Sequence, residues 1–274
     1  MAAMQVEKAR AFVALHERPG AFVMPNPWDA GSARLLASLG YEALATSSGA
    51  HAAGLGRRDG RVTRTEALNH ARLIVEATDL PVSADLEKGF GDTPEDAATT
   101  IREAGAVGLV GGSIEDSTGD ASQPIYDLAH AASRITAAVA AARAHPFKFM
   151  LTARAENFIR GNPDLDDTIR RLQAYEKAGA DVLMAPGLPD TAAVAKVCGS
   201  LQRPFNFMAG IKGKSFPVAD LAAAGVKRIS LATSLYRAAL TAALEGAREV
   251  KEQGTFGYVD RSLATPDINA FLRS

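Results

Sequence analysis

Four times along the chain, an alanine-rich stretch with helical spacing meets a glycine and then a short β-favouring run. The phrases are Leu39-Gly40-Tyr-Glu-Ala-Leu44, Ala104-Gly105-Ala-Val-Gly-Leu109, Ala178-Gly179-Ala-Asp-Val-Leu183 and Ala224-Gly225-Val-Lys-Arg-Ile229. Glycine just past a helix supplies the left-handed residue that ends it, and the apolar run behind it is a strand covered on both faces. Each phrase therefore predicts a helix-to-strand junction. Further strands are predicted at Ala21–Met24, Pro81–Asp85, Phe147–Ala153 and Pro204–Met208. That makes about eight, each followed by a helical pattern.

Helix starts agree with this division. Thr93 precedes Pro94, Glu95 and Asp96, an N-cap followed by proline and first-turn acids. Asp29 is placed to cap a helix over Ala30–Leu39, Thr63 to cap the next one, and Pro163–Asp167 opens another. Strand–helix alternation without long linkers predicts an α/β fold with a parallel sheet. The 274 residues suit one closed (β/α)₈ TIM barrel, with a helical lead-in and a C-terminal tail over Phe256–Ser274. No glycine-rich dinucleotide fingerprint follows the first strand and no P-loop occurs, which weakens the doubly wound alternative.

Composition narrows the function classes. Apolar residues are 47% of the chain and the net charge is −1, which leaves no basic face for nucleic acid. The single cysteine, Cys198, allows no intrachain disulfide and fits a reducing cytoplasm. No apolar run approaches the roughly 18 residues of a membrane span, and the N-terminus has no apolar signal core.

The most informative stretch is Pro81–Gly91, a buried strand followed by acids and a glycine-rich turn. Residues i and i+2 of a strand face one side, so Asp85 and Glu87 are expected to project together. Carboxylates that close repel unless a hard cation sits between them. A second pair, Glu115 and Asp116, follows the next apolar run. Other strand ends offer Asn26 to Asp29, Thr46 to His51 with Asp59 in the loop beyond, Arg154 to Asn157, and Asn206. Polar groups thus converge on strands two to five, the asymmetry of a site on one side of a barrel mouth. Taken singly, other residues have plainer readings. His51 reads as a hydrogen-bonded loop histidine, Trp28 as packing, Arg154 as an ion-pair partner of Glu156, and Lys88, Lys148 and Lys212 as surface lysines. The three lysines are also the candidates for a rival Schiff-base aldolase.

The chain resembles the isocitrate lyase/phosphoenolpyruvate mutase superfamily. The resemblance runs from Asn26-Pro-Trp-Asp29-Ala-Gly-Ser32-Ala33 to Asn206 and is most specific at Ser47-Ser48-Gly49, Asp85/Glu87, Ile114-Glu115-Asp116 and Arg154-Ala-Glu156. It implies a barrel that uses Mg²⁺, or Mn²⁺ in its place, on a small 2-oxo or 2-hydroxy carboxylate through a pyruvate-like enolate. Asp85 would touch the metal directly, and Asp59, Glu87 and Glu115 mostly through water. Glutamate at 87 stands where the superfamily more often has aspartate. Backbone amides at Ser47, Ser48 and Gly49, with Asn206, would hold the substrate, and Arg154 would neutralise developing charge. Catalysis would rest on Arg154, Asp59 and Glu115. The resemblance also implies a homo-oligomer, dimer or tetramer, in which the eighth helix and the tail (about 234–274) are exchanged between neighbours.

Isocitrate lyases of this superfamily carry Lys-Cys-Gly-His after the strand-four acids, and phosphoenolpyruvate mutases carry a lysine and an Asn-Ser pair there. This chain reads Ser117-Thr-Gly-Asp120-Ala-Ser-Gln-Pro124 and has neither. Cys198 lies far along the chain on a predicted helix. What the resemblance then implies is carbon–carbon cleavage or decarboxylation of a 2-oxo or 2-hydroxy (di)carboxylate. The proton that quenches the enolate would come from elsewhere, Tyr126 or water. Phosphorus–carbon mutase chemistry and a non-catalytic 2-oxoacid-binding barrel are the alternatives.

Overall fold

The computed structural model describes residues 2–272. The strands are β1 Phe22–Met24, β2 Leu44–Ala45, β3 Val82–Asp85, β4 Gly111–Glu115, β5 Met150–Arg154, β6 Val182–Met184, β7 Phe205–Met208 and β8 Arg228–Ser230. The helices are α1 Ala2–Glu17, α2 Ala30–Ser38, α3 Ser48–Gly54, α4 Arg64–Ala77, α5 Pro94–Ala106, α6 Leu128–Arg143, α7 Leu165–Lys177, α8 Thr191–Gly199, α9 Val218–Ala223, α10 Ser234–Gln253 and α11 Thr265–Phe271. All strands pair in parallel, in the order β1-β8-β7-β6-β5-β4-β3-β2. The seam between β1 and β2 is bridged by Ala45 N–H donating to Pro25 O and by the Asn26 amide donating to Thr46 O. This is the predicted (β/α)₈ TIM barrel.

Local signals act as anticipated at most junctions. Asp29, Thr63 and Thr93 each form a reciprocal capping box, with Ser32, Glu66 and Asp96. Gly40, Gly179 and Gly225 take positive φ behind their helices. The second phrase differs: α5 continues through Gly105, and Gly108 is the left-handed residue. A Cβ on Gly105 would lie 2.2 Å from His145, so that glycine serves close approach of the α6–β5 connection. The strand consequently begins later, at Gly111.

The helical lead-in has a structural task. Phe12 and Leu15 of α1 pack with Phe22, Met24, Val110, Met150 and Val182 in an apolar cluster that closes the N-terminal end of the barrel. The main core lies between the strands and the helical ring. Helix α10 behaves otherwise. Gly246, against Tyr258, is its only buried residue, while Leu240 and Leu244 are 49% and 51% exposed. Phe256 and Leu263 beyond it are exposed as well. The last two residues of the tail expected to serve in assembly, Arg273 and Ser274, lie outside the described residues. Among the described residues, no helix is long and apolar enough to cross a membrane.

Candidate active site

The C-terminal ends of β2 to β5 gather the predicted acids around Arg154. Asp85 closes β3 and is held from several directions. Its backbone N–H donates to Thr46 Oγ1, while Ser48 Oγ donates to its Oδ2 at 2.8 Å. Glu87 is not on the strand: β3 stops at Asp85, and Glu87 has φ +50°. The strand alternation expected to align the two acids is therefore replaced by a left-handed turn. That turn costs a non-glycine residue about 1–3 kcal/mol and is the kind of strain that collects at functional sites. Two hydrogen bonds pin it: Glu87 O accepts from Glu115 N, and Glu87 N–H donates to Asp85 Oδ1 at 3.3 Å. Glu87 Oε1 is buried without a hydrogen-bond partner.

Asp59 stands on the exposed rim with its carboxylate turned inward. It meets Ser48, and its Oδ2 would lie 3.2 Å from a Cβ on Gly49. A side chain at position 49 would therefore press on Asp59 and Thr233. Glu115 ends β4, buried; its Oε2 lies 3.5 Å from Arg154 Nη1, and its Oε1 accepts from Arg160 Nη2 at 3.3 Å. Arg154 itself ends β5, its Nε paired with the fully buried Glu156 and its Nη1 3.9 Å from Asp85 Oδ1. The plainer ion-pair reading and the site reading of Arg154 thus hold together. Arg160 follows the short 3₁₀ turn Asn157–Ile159 and bridges Glu115 and Glu156. It escaped the sequence reading because nothing local marks it.

Asp116 separates from its neighbour. It accepts from Tyr175 Oη at 2.6 Å, Arg171 Nη1 at 3.2 Å and Glu156 N at 2.8 Å, a buried scaffold for the β5 end. Asn206 lies inside the barrel, its Oδ1 taken by Arg228 and its amide by Ser230. Ser47 caps α3, and Ser48 directs its hydroxyl and amide at Asp85, so Ser48 orients that acid. Tyr126 does not face the acids; its hydroxyl donates to Asp92. Lys88 pairs with Asp92 and Thr118 O, and Lys148 with Asp181. Among the described residues, no lysine lines the barrel interior beneath these acids. His51 stacks on His70 at 4.0 Å, and burial draws its pKa down to about 4, so it is neutral near pH 7.

Charge is unbalanced at this mouth. Asp59, Asp85, Glu87, Glu115 and Glu156 face Arg154 and Arg160. Burial, then the charges of Asp85 and Asp59, pushes Glu87 up to about 7. Burial and then Asp85 raises Asp59, and burial and then Glu156 raises Glu115. Burial works against the charge of Arg154, but Glu156, Glu115 and Asp85 outweigh it and hold the guanidinium protonated. Among the described residues no three His, Cys, Asp or Glu side chains already surround one point. The donor set nonetheless fits a small hard cation: it is all oxygen and has one orphaned buried carboxylate oxygen. Mg²⁺ commonly takes one or two carboxylates and keeps its waters.

A test follows from the raised acids. The folded protein binds the Glu87 proton more tightly than the unfolded chain does. Its contribution to stability is therefore complete below the ordinary value and is lost as pH climbs through about 7. A cation that offsets the repulsion matters most once those groups are ionised. Mg²⁺ is expected to raise Tm more at about pH 8 than at about pH 5.5 in thermal melts. Equal shifts at both values would contradict a carboxylate metal site.

Residues 12–251 match the phosphoenolpyruvate phosphomutase family profile. The chain belongs to that family. A solved Burkholderia cenocepacia protein described as a lyase/mutase is 51% identical, covers 99% of this chain and 98% of its own, and superposes with a TM-score of 0.97. A structure of 2,3-dimethylmalate lyase, from the PEP mutase/isocitrate lyase superfamily, is 25% identical over 97% of this chain and 95% of its own, with a TM-score of 0.87. The 2-methylisocitrate lyase of Escherichia coli is 30% identical over 83% of this chain and 79% of its own. The last two are named as lyases.

Proposed function

We propose that this family member is a divalent-metal-dependent lyase that cleaves a carbon–carbon bond in a small 2-oxo or 2-hydroxy dicarboxylate. The supporting observation is the cluster of Asp59, Asp85, Glu87 and Glu115 around Arg154 at the barrel mouth, with a surplus of carboxylate and an orphaned Glu87 oxygen. Asp85 would hold the cation directly, with Asp59, Glu87 and Glu115 through water. Bound there, Mg²⁺ supplies positive charge to the substrate's carboxylate and adjacent oxygen. Arg154 is fixed by Glu156 before any substrate arrives, so it meets developing enolate charge without reorganising. Ser48 keeps Asp85 in one orientation.

The named relatives act, by their names, on 2,3-dimethylmalate and 2-methylisocitrate, and substrates of that class suit this mouth. The test is a screen with Mg²⁺ over oxaloacetate, isocitrate, 2-methylisocitrate, substituted malates and phosphonopyruvate, scored as pyruvate or glyoxylate formed. Turnover abolished by a chelator supports the reading. Activity that survives chelation overturns it, and tight 2-oxoacid binding without turnover favours a binding barrel instead.

Oligomerisation belongs to the same reading. The apolar positions Leu240 and Leu244 of α10 find no cover on their own barrel, and a second copy that exchanges this helix would cover them. The double change Leu240→Asp, Leu244→Asp is expected to shift a dimer or tetramer to monomer in light scattering. A wild type that is already monomeric at micromolar concentration would exclude exchange.

A further inference from the structure

Beneath the acids, the barrel interior narrows into a small well of about 50 Å³ that opens to solvent. Asp85 and Arg154 line its upper part, and Arg228 with Ser83, Ser113 and Ser230 lines it as well. Arg228 is 3% exposed and crosses the barrel from β8 to β5. Its Nε donates to Asn206 Oδ1 at 2.8 Å and its Nη2 to Thr152 Oγ1 at 2.8 Å. Its Nη1 lies 3.4 Å from His16 Nε2. His16 Nδ1 meets the Phe12 carbonyl at 2.7 Å, so Nδ1 carries the proton and Nε2 can only accept. Burial, followed by the Arg228 charge, draws His16 down to about 3 and keeps the ring neutral.

Every acceptor of this buried guanidinium is therefore uncharged. Burial alone acts on it and lowers it to about 9, with no carboxylate raising it. A buried charge ordinarily has a counter-ion, because neutral dipoles replace only part of its lost hydration. Arg134 shows the contrast: it too is buried and donates to carbonyls, yet it feels Asp92, Asp96 and Asp116. Three acceptors also leave two of the five guanidinium N–H groups of Arg228 for another partner.

Position in the barrel gives the missing partner a place. Thr152, which Arg228 reaches, faces the interior two residues before Arg154 on β5. At strand rise, this sets the Arg228 contact about 7 Å deeper than Arg154. Cations near the mouth are already engaged: Arg154 by Glu156 and Glu115, Arg160 by the same two acids. The loop Ser117–Pro124 over the mouth has no lysine, arginine or histidine.

We propose that Arg228 is an anion receptor at the floor of the well, which takes the far carboxylate of a short dicarboxylate entering end-on. The proposal rests on the lyase reading for the identity of the ligand, not for the existence of the anion site. Asn206, Thr152 and His16 are its positioning residues: they aim the guanidinium and leave its charge uncancelled.

The probe is acetate, a single small carboxylate that can enter the narrow core, titrated against chloride at constant ionic strength with EDTA present. Wild-type Tm is expected to rise saturably with acetate. Arg228→Gln should weaken that response about tenfold or more, the worth of a charge-assisted hydrogen bond, and Arg228→Lys should weaken it less. Asn206→Asp keeps the guanidinium and its packing but supplies an internal counter-ion. It should raise Tm without acetate and abolish the acetate response. An acetate response within about twofold of wild type in Arg228→Gln overturns the proposal. Should that variant fail to fold, an unchanged response in Asn206→Asp overturns it equally. Acetate binding that depends on Arg228, in a protein without lyase turnover, would sink the lyase reading and leave the receptor standing. Turnover with Mg²⁺ and no Arg228-dependent binding would do the reverse.

Discussion

Asp85→Ala should reduce turnover by at least about a thousandfold, a loss of about 4 kcal/mol of transition-state stabilisation. No neighbouring group can substitute. Asp85 is the acid whose two oxygens are oriented, by Ser48 Oγ on one side and Glu87 N–H on the other. Glu87 approaches from a left-handed turn, and Glu115 is held by Arg154 and Arg160. The same change should not harm the fold. The Asp85 charge is among the causes that raise Asp59, Glu87 and Glu115, so its removal relieves repulsion. Metal-free Asp85→Ala should melt at or above the wild-type temperature. Steady-state assays on the substrate identified by the screen, paired with calorimetric Mg²⁺ titration, give the answer. Wild-type activity in the variant, measured side by side, would refute the metal assignment.

Arg154→Met should cost both activity and stability, which separates it from the first case. The expected fall in kcat is about a hundred- to a thousandfold, the usual effect of deleting a preorganised charge-stabilising donor. Stability should fall by about 3–5 kcal/mol, because Glu156 is fully buried and Glu115 nearly so, and the half-exposed Arg160 alone would be left to pair both. Lysine at 154 should recover part of the stability and little of the rate. A point charge cannot serve Glu156 through one nitrogen and face Glu115 and Asp85 through another. The double variant Arg154→Met, Glu156→Gln separates the roles. If Arg154 acts on substrate, Tm returns while kcat stays low; activity that returns with Tm would reduce Arg154 to a structural partner.

Much of this architecture was legible along the chain. Asp29, Thr63 and Thr93 cap helices through partners three residues away, and such contacts can be read without a fold. Most strands lie where expected; β5 begins later, at Met150, and the strand after Gly105 is displaced because that glycine makes room for His145. The acids at 59, 85, 87 and 115 and Arg154 do meet at one mouth. The premise for one pair failed in detail: Glu87 reaches the site through a left-handed turn.

Short-range chemistry wrote the eight βα units into the sequence, because hydrophobic spacing and capping act within a few residues. Arg160 meets Glu115 across 45 residues, and Arg228 meets His16 across 212. Asp116 likewise parts from its acidic neighbour and becomes scaffold through Tyr175, 59 residues on. These partnerships arise where the closed barrel brings distant strand ends and α1 around one axis. Whether a given charge is exposed, paired or left alone in a low-dielectric interior is settled at that level of structure.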